Sequence, residues 1–172
     1  ISVKFTEAVN LQTKVTEPSF DWGAGQVQWE GHLLNDEQYE ATLHWYTQSV
    51  VDNPDSAEAW HGRGEALANL GAYGDALISL NRAIELHSGV SDYWITHAVV
   101  LIHLRDYLGA LDSCERALAI EPGNPEAWLF HGCALQRLGR YREAYHSFDK
   151  AAGVQRRSLS QKVAGVISRW LR

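Results

Sequence analysis

The chain has 172 residues, 45% of them hydrophobic and 21% charged, with a formal net charge of −6. This balance supplies a folded core and is too apolar for intrinsic disorder, and no run of about 18 apolar residues is present to cross a bilayer. Net acidity argues against wholesale nucleic-acid binding. Two cysteines, Cys114 and Cys133, are too few for a disulfide framework and lack zinc-type spacing, which sets the expectation of a reducing, cytoplasmic compartment. The start at Ile1 and the absence of methionine read as a piece of a larger protein.

Taken in chain order, residues 1–22 resist assignment: Ile1, Val3 and Phe5 alternate like a strand, but Pro18 and scattered threonines suit an irregular tail. From residue 23 a ruler of 34 takes over. Trp60, Trp94 and Trp128 fall on it, as do Tyr73, Tyr107 and Tyr141, then Ala76, Ala110 and Ala144, then Gly64, Ala98 and Gly132. A fixed period of this size marks stacked supersecondary units. Each unit reads as two helices. In the first clear one, Trp60, Gly64, Leu67 and Leu70 share one helical face, and Tyr73, Ala76, Leu77, Leu80 and Ile84 another. Gly71 and Gly139 are placed to end a first helix in the left-handed region. Asn124 is expected as an N-cap with Pro125 at the first helical position.

The units run 23–56, 57–90, 91–124 and 125–158. The earliest is degenerate, with Gln26 and Glu30 where Trp and Gly belong. Beyond them Leu159, Val163, Val166, Ile167 and Trp170 trace one helical face over 159–172, the pattern of a helix capping the exposed end of a stack.

The pattern resembles the tetratricopeptide repeat family. Trp94, Ala98, Leu101, Tyr107, Ala110, Ala117 and Pro122 stand where its signature has Trp, a small residue, an apolar residue, an aromatic, Ala, Ala and Pro. Stretches such as Glu126-Ala127-Trp128 and Leu138-Gly139-Arg140-Tyr141 are similar to bacterial members. The resemblance implies an all-α fold, a right-handed superhelix of antiparallel helix pairs. It also implies a scaffold that holds a protein or peptide partner in a concave groove lined by first helices, without catalysis.

The groove row so implied reads His61, Glu65, Ala68 and Asn69, then Ile95, Val99, Ile102 and His103, then Leu129, Cys133, Gln136 and Arg137. Its middle is apolar and its ends are polar, which suits an amphipathic helix or an extended apolar segment. Alternatively, Ile95 and Val99 pack against residues 1–22 or serve as inter-repeat core. Family members that clamp the C-terminal carboxylates of heat-shock proteins use cationic and amide side chains. Here those places hold His61, Glu65, Thr96, Glu126 and Phe130, so no chaperone-tail binding is expected.

No catalytic motif, phosphate loop or metal-ligand spacing appears, and no cofactor is expected. His97 and His131 are equivalent and read as stacked edge residues. Cys114 reads as inert core, and Cys133 as the more reactive thiol.

Charge is strongly polarised: residues 1–56 carry nine acids and two bases, 57–124 nine and four, and 125–172 three and nine. A solvated exterior accounts for this, as would salt-dependent head-to-tail self-association. A third reading is a tether to an anionic membrane or nucleic acid through Arg156, Arg157, Lys162, Arg169 and Arg172.

Overall fold

The computed structural model describes residues 19–20, 27–28 and 36–153. The chain divides into two compact units, Ile1–Gln38 and Tyr39–Arg172. In the first, β1 (Ser19–Phe20) pairs antiparallel with β2 (Val27–Gln28), Ser19 opposite Gln28 and Phe20 opposite Val27. β2 therefore occupies part of the span in which the degenerate unit's first helix is expected. Gln26 and Glu30 give that stretch no apolar helical stripe, and the β-branched Val27 suits an extended backbone. The expected capping helix over 159–172 lies outside the described residues.

The second unit is helical, with seven helices described: α1 (Asp36–Asp52), α2 (Ala57–Asn69), α3 (Tyr73–Leu86), α4 (Ser91–His103), α5 (Tyr107–Ile120), α6 (Pro125–Arg137) and α7 (Tyr141–Ala151). Local chemistry starts them. The Ser56 hydroxyl accepts from the Ala59 N–H at 3.2 Å, and Asn124 Oδ1 accepts from the N–H groups of both Glu126 and Ala127 at 3.0 Å. These bonds satisfy backbone donors that the first turn leaves open.

Three equivalent turns end the first helices. Ala72, Asp106 and Arg140 each donate a backbone N–H to a carbonyl five residues back, that of Leu67, Leu101 and Leu135, at 2.9 Å. The turn needs one residue in the left-handed region. Gly71 and Gly139 supply it at φ +76°, but the middle unit puts Arg105 there, at φ +64°. A side chain at that φ costs about 1–2 kcal/mol.

Inside each pair the helices close on small residues. A Cβ on Gly64 would lie 2.7 Å from Leu80, and one on Gly132 would lie 2.5 Å from Phe148. In the middle unit the same places hold Ala98 and Cys114, both fully buried in one cluster with Ala110, Leu111, Ala134 and Leu135. The pairing is thus small with large in the outer two units and medium with medium between them. Ala76, Ala110 and Ala144, at most 2% exposed, let each second helix approach its partner.

Second helices touch the following first helices, α3 with α4 and α5 with α6. First helices also touch one another, α2 with α4 and α4 with α6, whereas among the described residues no two second helices do. The stack is closed on the α2–α4–α6 side and splayed on the α3–α5–α7 side, so the first helices form its inner face. The indoles fasten the joints. Trp60, Trp94 and Trp128 each donate Nε1–H to a loop carbonyl six residues back, at Pro54, Ser88 and Pro122, over 2.8–2.9 Å.

Candidate functional site

The inner face of α2, α4 and α6 brings together side chains far apart in the chain. Glu65 and Asn69 are exposed on α2; Val99 and Ile102 are half-buried on α4, with His103 exposed; Leu129 and Cys133 are half-buried on α6, with Gln136 and Arg137 exposed. His61 is half-buried and committed: its Nε2 lies 3.0 Å from Thr96 Oγ1, and its ring stacks on Tyr93 at 4.6 Å. Asn69 turns its amide onto the Glu65 carbonyl, and His103 stacks on Tyr73 at 4.4 Å.

Ile95 is the member of the predicted row that the structure relocates. It is 4% exposed and packs with Ala117 and Ala127, so it is inter-repeat core and presents no contact surface. The second helix of its own unit and the start of the next first helix enclose it. Cys133 is the less buried of the two thiols. Burial still raises it above the ordinary range, with Arg137 only partly opposing, so it is not a primed nucleophile. Cys114 is pushed up to about 12 by burial, as its core reading requires.

Two further rows emerge, of which the sequence marked only single members such as His97, His131 and Glu65. The first is a polar ladder. Arg63 donates to Ser79 Oγ, His97 Nδ1 pairs with Ser113 Oγ, and His131 Nδ1 with Ser147 Oγ, at 2.6, 2.9 and 2.8 Å. Each serine donates its own hydrogen to the carbonyl four residues back, at Asp75, Gly109 and Glu143, and is free to accept from its partner. The histidines reach on toward the preceding unit: His97 Nε2 lies 3.0 Å from the Asn81 amide oxygen and His131 Nε2 3.9 Å from Glu115. Burial holds both imidazoles below their ordinary value of 6.5, against the opposing pull of nearby carboxylates.

The second row is acidic. Glu58, Asp92 and Glu126 are the second residues of α2, α4 and α6, all solvent-exposed, with Glu65 two turns further along α2. Their fields overlap across the units. Although Glu126 keeps solvent contact, its carboxyl is partly desolvated, which raises it, and the like charges of Asp92 and Glu65 raise it further. Tyr46 of α1 is raised by burial, then by Glu65 and Glu58. Among the described residues none of these four carboxylates has an ion-pair partner. The second helices differ: Arg82 pairs with Glu85, Arg116 with Asp112 and Arg140 with Glu143. The 34-residue spacing of the acids, and of Ser79, Ser113 and Ser147, was the signal that would have found both rows.

A separate depression of about 400 Å³ is lined by Trp60, Ile78, Asn81, Arg82 and Glu85, and its charges are already paired with each other. Among the described residues no group of three or more His, Cys, Asp or Glu is arranged to hold a metal ion, and no helix is long and apolar enough to cross a membrane.

Family models described as tetratricopeptide repeat match residues 32–91 and 125–157. No curated protein sequence matches. Among solved structures, the chain is similar to MamA (residues 41 to the end) from Desulfovibrio magneticus RS-1, at 22% identity over 69% of this chain and 67% of that one, with a TM-score of 0.63. It is similar to the Arabidopsis OM64 TPR domain at 27% identity over 63% and 90%, with a TM-score of 0.56. The second TPR domain of RPAP3 (Spaghetti), solved with the HSP90 peptide SRMEEVD, aligns at 21% identity over 60% and 96%, with a TM-score of 0.57.

Proposed function

From the premise that this chain belongs to the tetratricopeptide repeat family, we infer that it is a non-catalytic binding module whose inner face holds a segment of a protein partner. The observation that carries this reading is the set of half-buried apolar side chains Val99, Ile102 and Leu129. They lie on touching first helices and are bordered by exposed polar residues at both ends. A partner helix or extended segment laid along that face buries apolar area and finds polar contacts at its margins. The RPAP3 domain, solved with a bound peptide, supports a peptide-sized occupant for this fold.

The chemistry of the face also supports a choice of ligand. A C-terminal carboxylate needs cationic or amide donors. Here His61 is occupied by Thr96 and Tyr93, and Glu65 and Glu126 present negative charge. Acidic chaperone tails are therefore not the proposed ligand. The free thiols Cys114 and Cys133 fit a reducing compartment, and we place the module in one.

Affinity capture from lysate, comparing wild type with Val99→Arg, tests the reading. A partner retained by wild type and lost by a variant of unchanged helicity supports it. Equal capture by both removes the inner face from consideration.

A further inference from the structure

The inner face carries four carboxylates at once, Glu58, Glu65, Asp92 and Glu126, unpaired among the described residues and held on first helices that touch one another, α2 with α4 and α4 with α6. Like charges held together cost stability, and a cationic occupant relieves them. Val99 and Leu129 are half-buried on the same helices, so the occupant also needs an apolar side.

The chain itself carries such a segment. Residues 154–172 hold five bases (Arg156, Arg157, Lys162, Arg169 and Arg172) and no acid. Leu159, Val163, Val166, Ile167 and Trp170 fall at helical spacing, with Lys162 and Arg169 seven residues apart along one border of that apolar stripe. Seven residues of helix advance about 10.5 Å, close to the roughly 10 Å diameter that separates stacked helices. The two cations therefore match neighbouring rungs of the Glu58–Asp92–Glu126 row. Fourteen residues at the helical rise, the number in 159–172, cover about 21 Å, the span of three rungs.

We propose that residues 154–172 of one copy lie on the inner face of a second copy, their cations against Glu58, Glu65, Asp92 and Glu126. The contact is heterologous: it joins the basic end of one molecule to the acidic face of the next and repeats down a row. A partner then gains the face by displacing it. The inference rests on the inner face being the binding surface.

Sedimentation equilibrium of the full chain tests it with paired charge reversals. Wild type is expected to associate at low salt, with an association constant falling roughly tenfold between 50 and 500 mM salt. Glu58→Lys/Glu65→Lys and Lys162→Glu/Arg169→Glu are each expected to be monomeric with unchanged helicity. Mixed in equal amounts they are expected to associate again, because each then meets its complement; a folding defect would not be repaired by mixing. A wild type that is monomeric at all concentrations overturns the proposal, as does reversed-charge protein that associates like wild type. If Val99→Arg abolishes association while the reversals do not, the inner face stands as the binding surface and the basic segment is not its occupant. If all three variants associate normally, the inner-face reading falls too.

Discussion

His97 and Ser113 lie on opposite helices of one pair, sixteen residues apart, with 2.9 Å between Nδ1 and Oγ. The same offset joins Arg63 to Ser79 and His131 to Ser147, so one hydrogen bond recurs in three consecutive units. Ser113 is 2% exposed and already donates to the Gly109 carbonyl, so its lone pair is the acceptor for the ring N–H. Ser113→Ala leaves that N–H without its partner. The expected cost is about 1–3 kcal/mol, read as a lower denaturation midpoint at unchanged slope. An unaltered midpoint would show that water replaces the hydroxyl.

The same histidines set a pH dependence. Burial lowers His97 and His131 in the folded chain below 6.5. As pH falls through that value, the unfolded chain takes up protons that the folded one does not. Their contribution to stability is full above about pH 6.5 and declines toward the lowered values. The melting temperature is expected to fall from pH 7 to pH 5, and less steeply in a His97→Gln/His131→Gln variant. Equal slopes in the two proteins would remove the histidines as the cause.

Arg105 occupies the left-handed position that Gly71 and Gly139 fill in the flanking units. Arg105→Gly relieves a cost of about 1–2 kcal/mol and adds some unfolded-chain entropy. The net expectation is a gain of roughly 0.5–1 kcal/mol by urea denaturation. Destabilisation would mean that the arginine side chain stabilises the fold by more than its backbone strain costs.

Ala110 is fully buried between α4 and α5. Ala110→Leu forces the pair apart at its closest approach, with an expected loss of roughly 1–3 kcal/mol. A melting temperature equal to wild type would contradict the packing described.

The peptide SRMEEVD, bound by RPAP3's domain, is expected not to bind here more tightly than about 1 mM, roughly −4 kcal/mol. Its acidic residues and carboxylate meet Glu65 and Glu126 where a clamp needs cations. Saturable binding by calorimetry in the micromolar range would overturn this.

The spacing of Trp60, Trp94 and Trp128 made the helix pairs legible, because a solenoid writes its architecture into the sequence once per unit. Gly71, Gly139 and Asn124 acted as read, since their roles are local to one turn. Ile95 was less legible. An apolar residue on a first helix faces either a groove or the neighbouring pair, and only the placement of Ala117 and Ala127 around it decides. The hydrogen bonds of Ser79, Ser113 and Ser147 were hidden for a similar reason: a mid-helix serine gives no sign of which opposing side chain will reach it. The acidic row lay in plain view, but Glu126 reads singly as a helix-start residue and gains another meaning only beside Asp92 and Glu65.

The matched interiors of the pairs bear on how such a chain can be rearranged. Gly64 belongs to Leu80, Ala98 to Cys114 and Gly132 to Phe148. A recombination breakpoint in the turn between two helices of a unit would set Gly64 against Cys114 and leave a void, or Ala98 against Phe148 and produce a clash. Breakpoints in the loops at Pro54, Ser88 and Pro122 keep each couple intact. Whole units can therefore be duplicated, deleted or exchanged as cassettes, while half-units are inherited together.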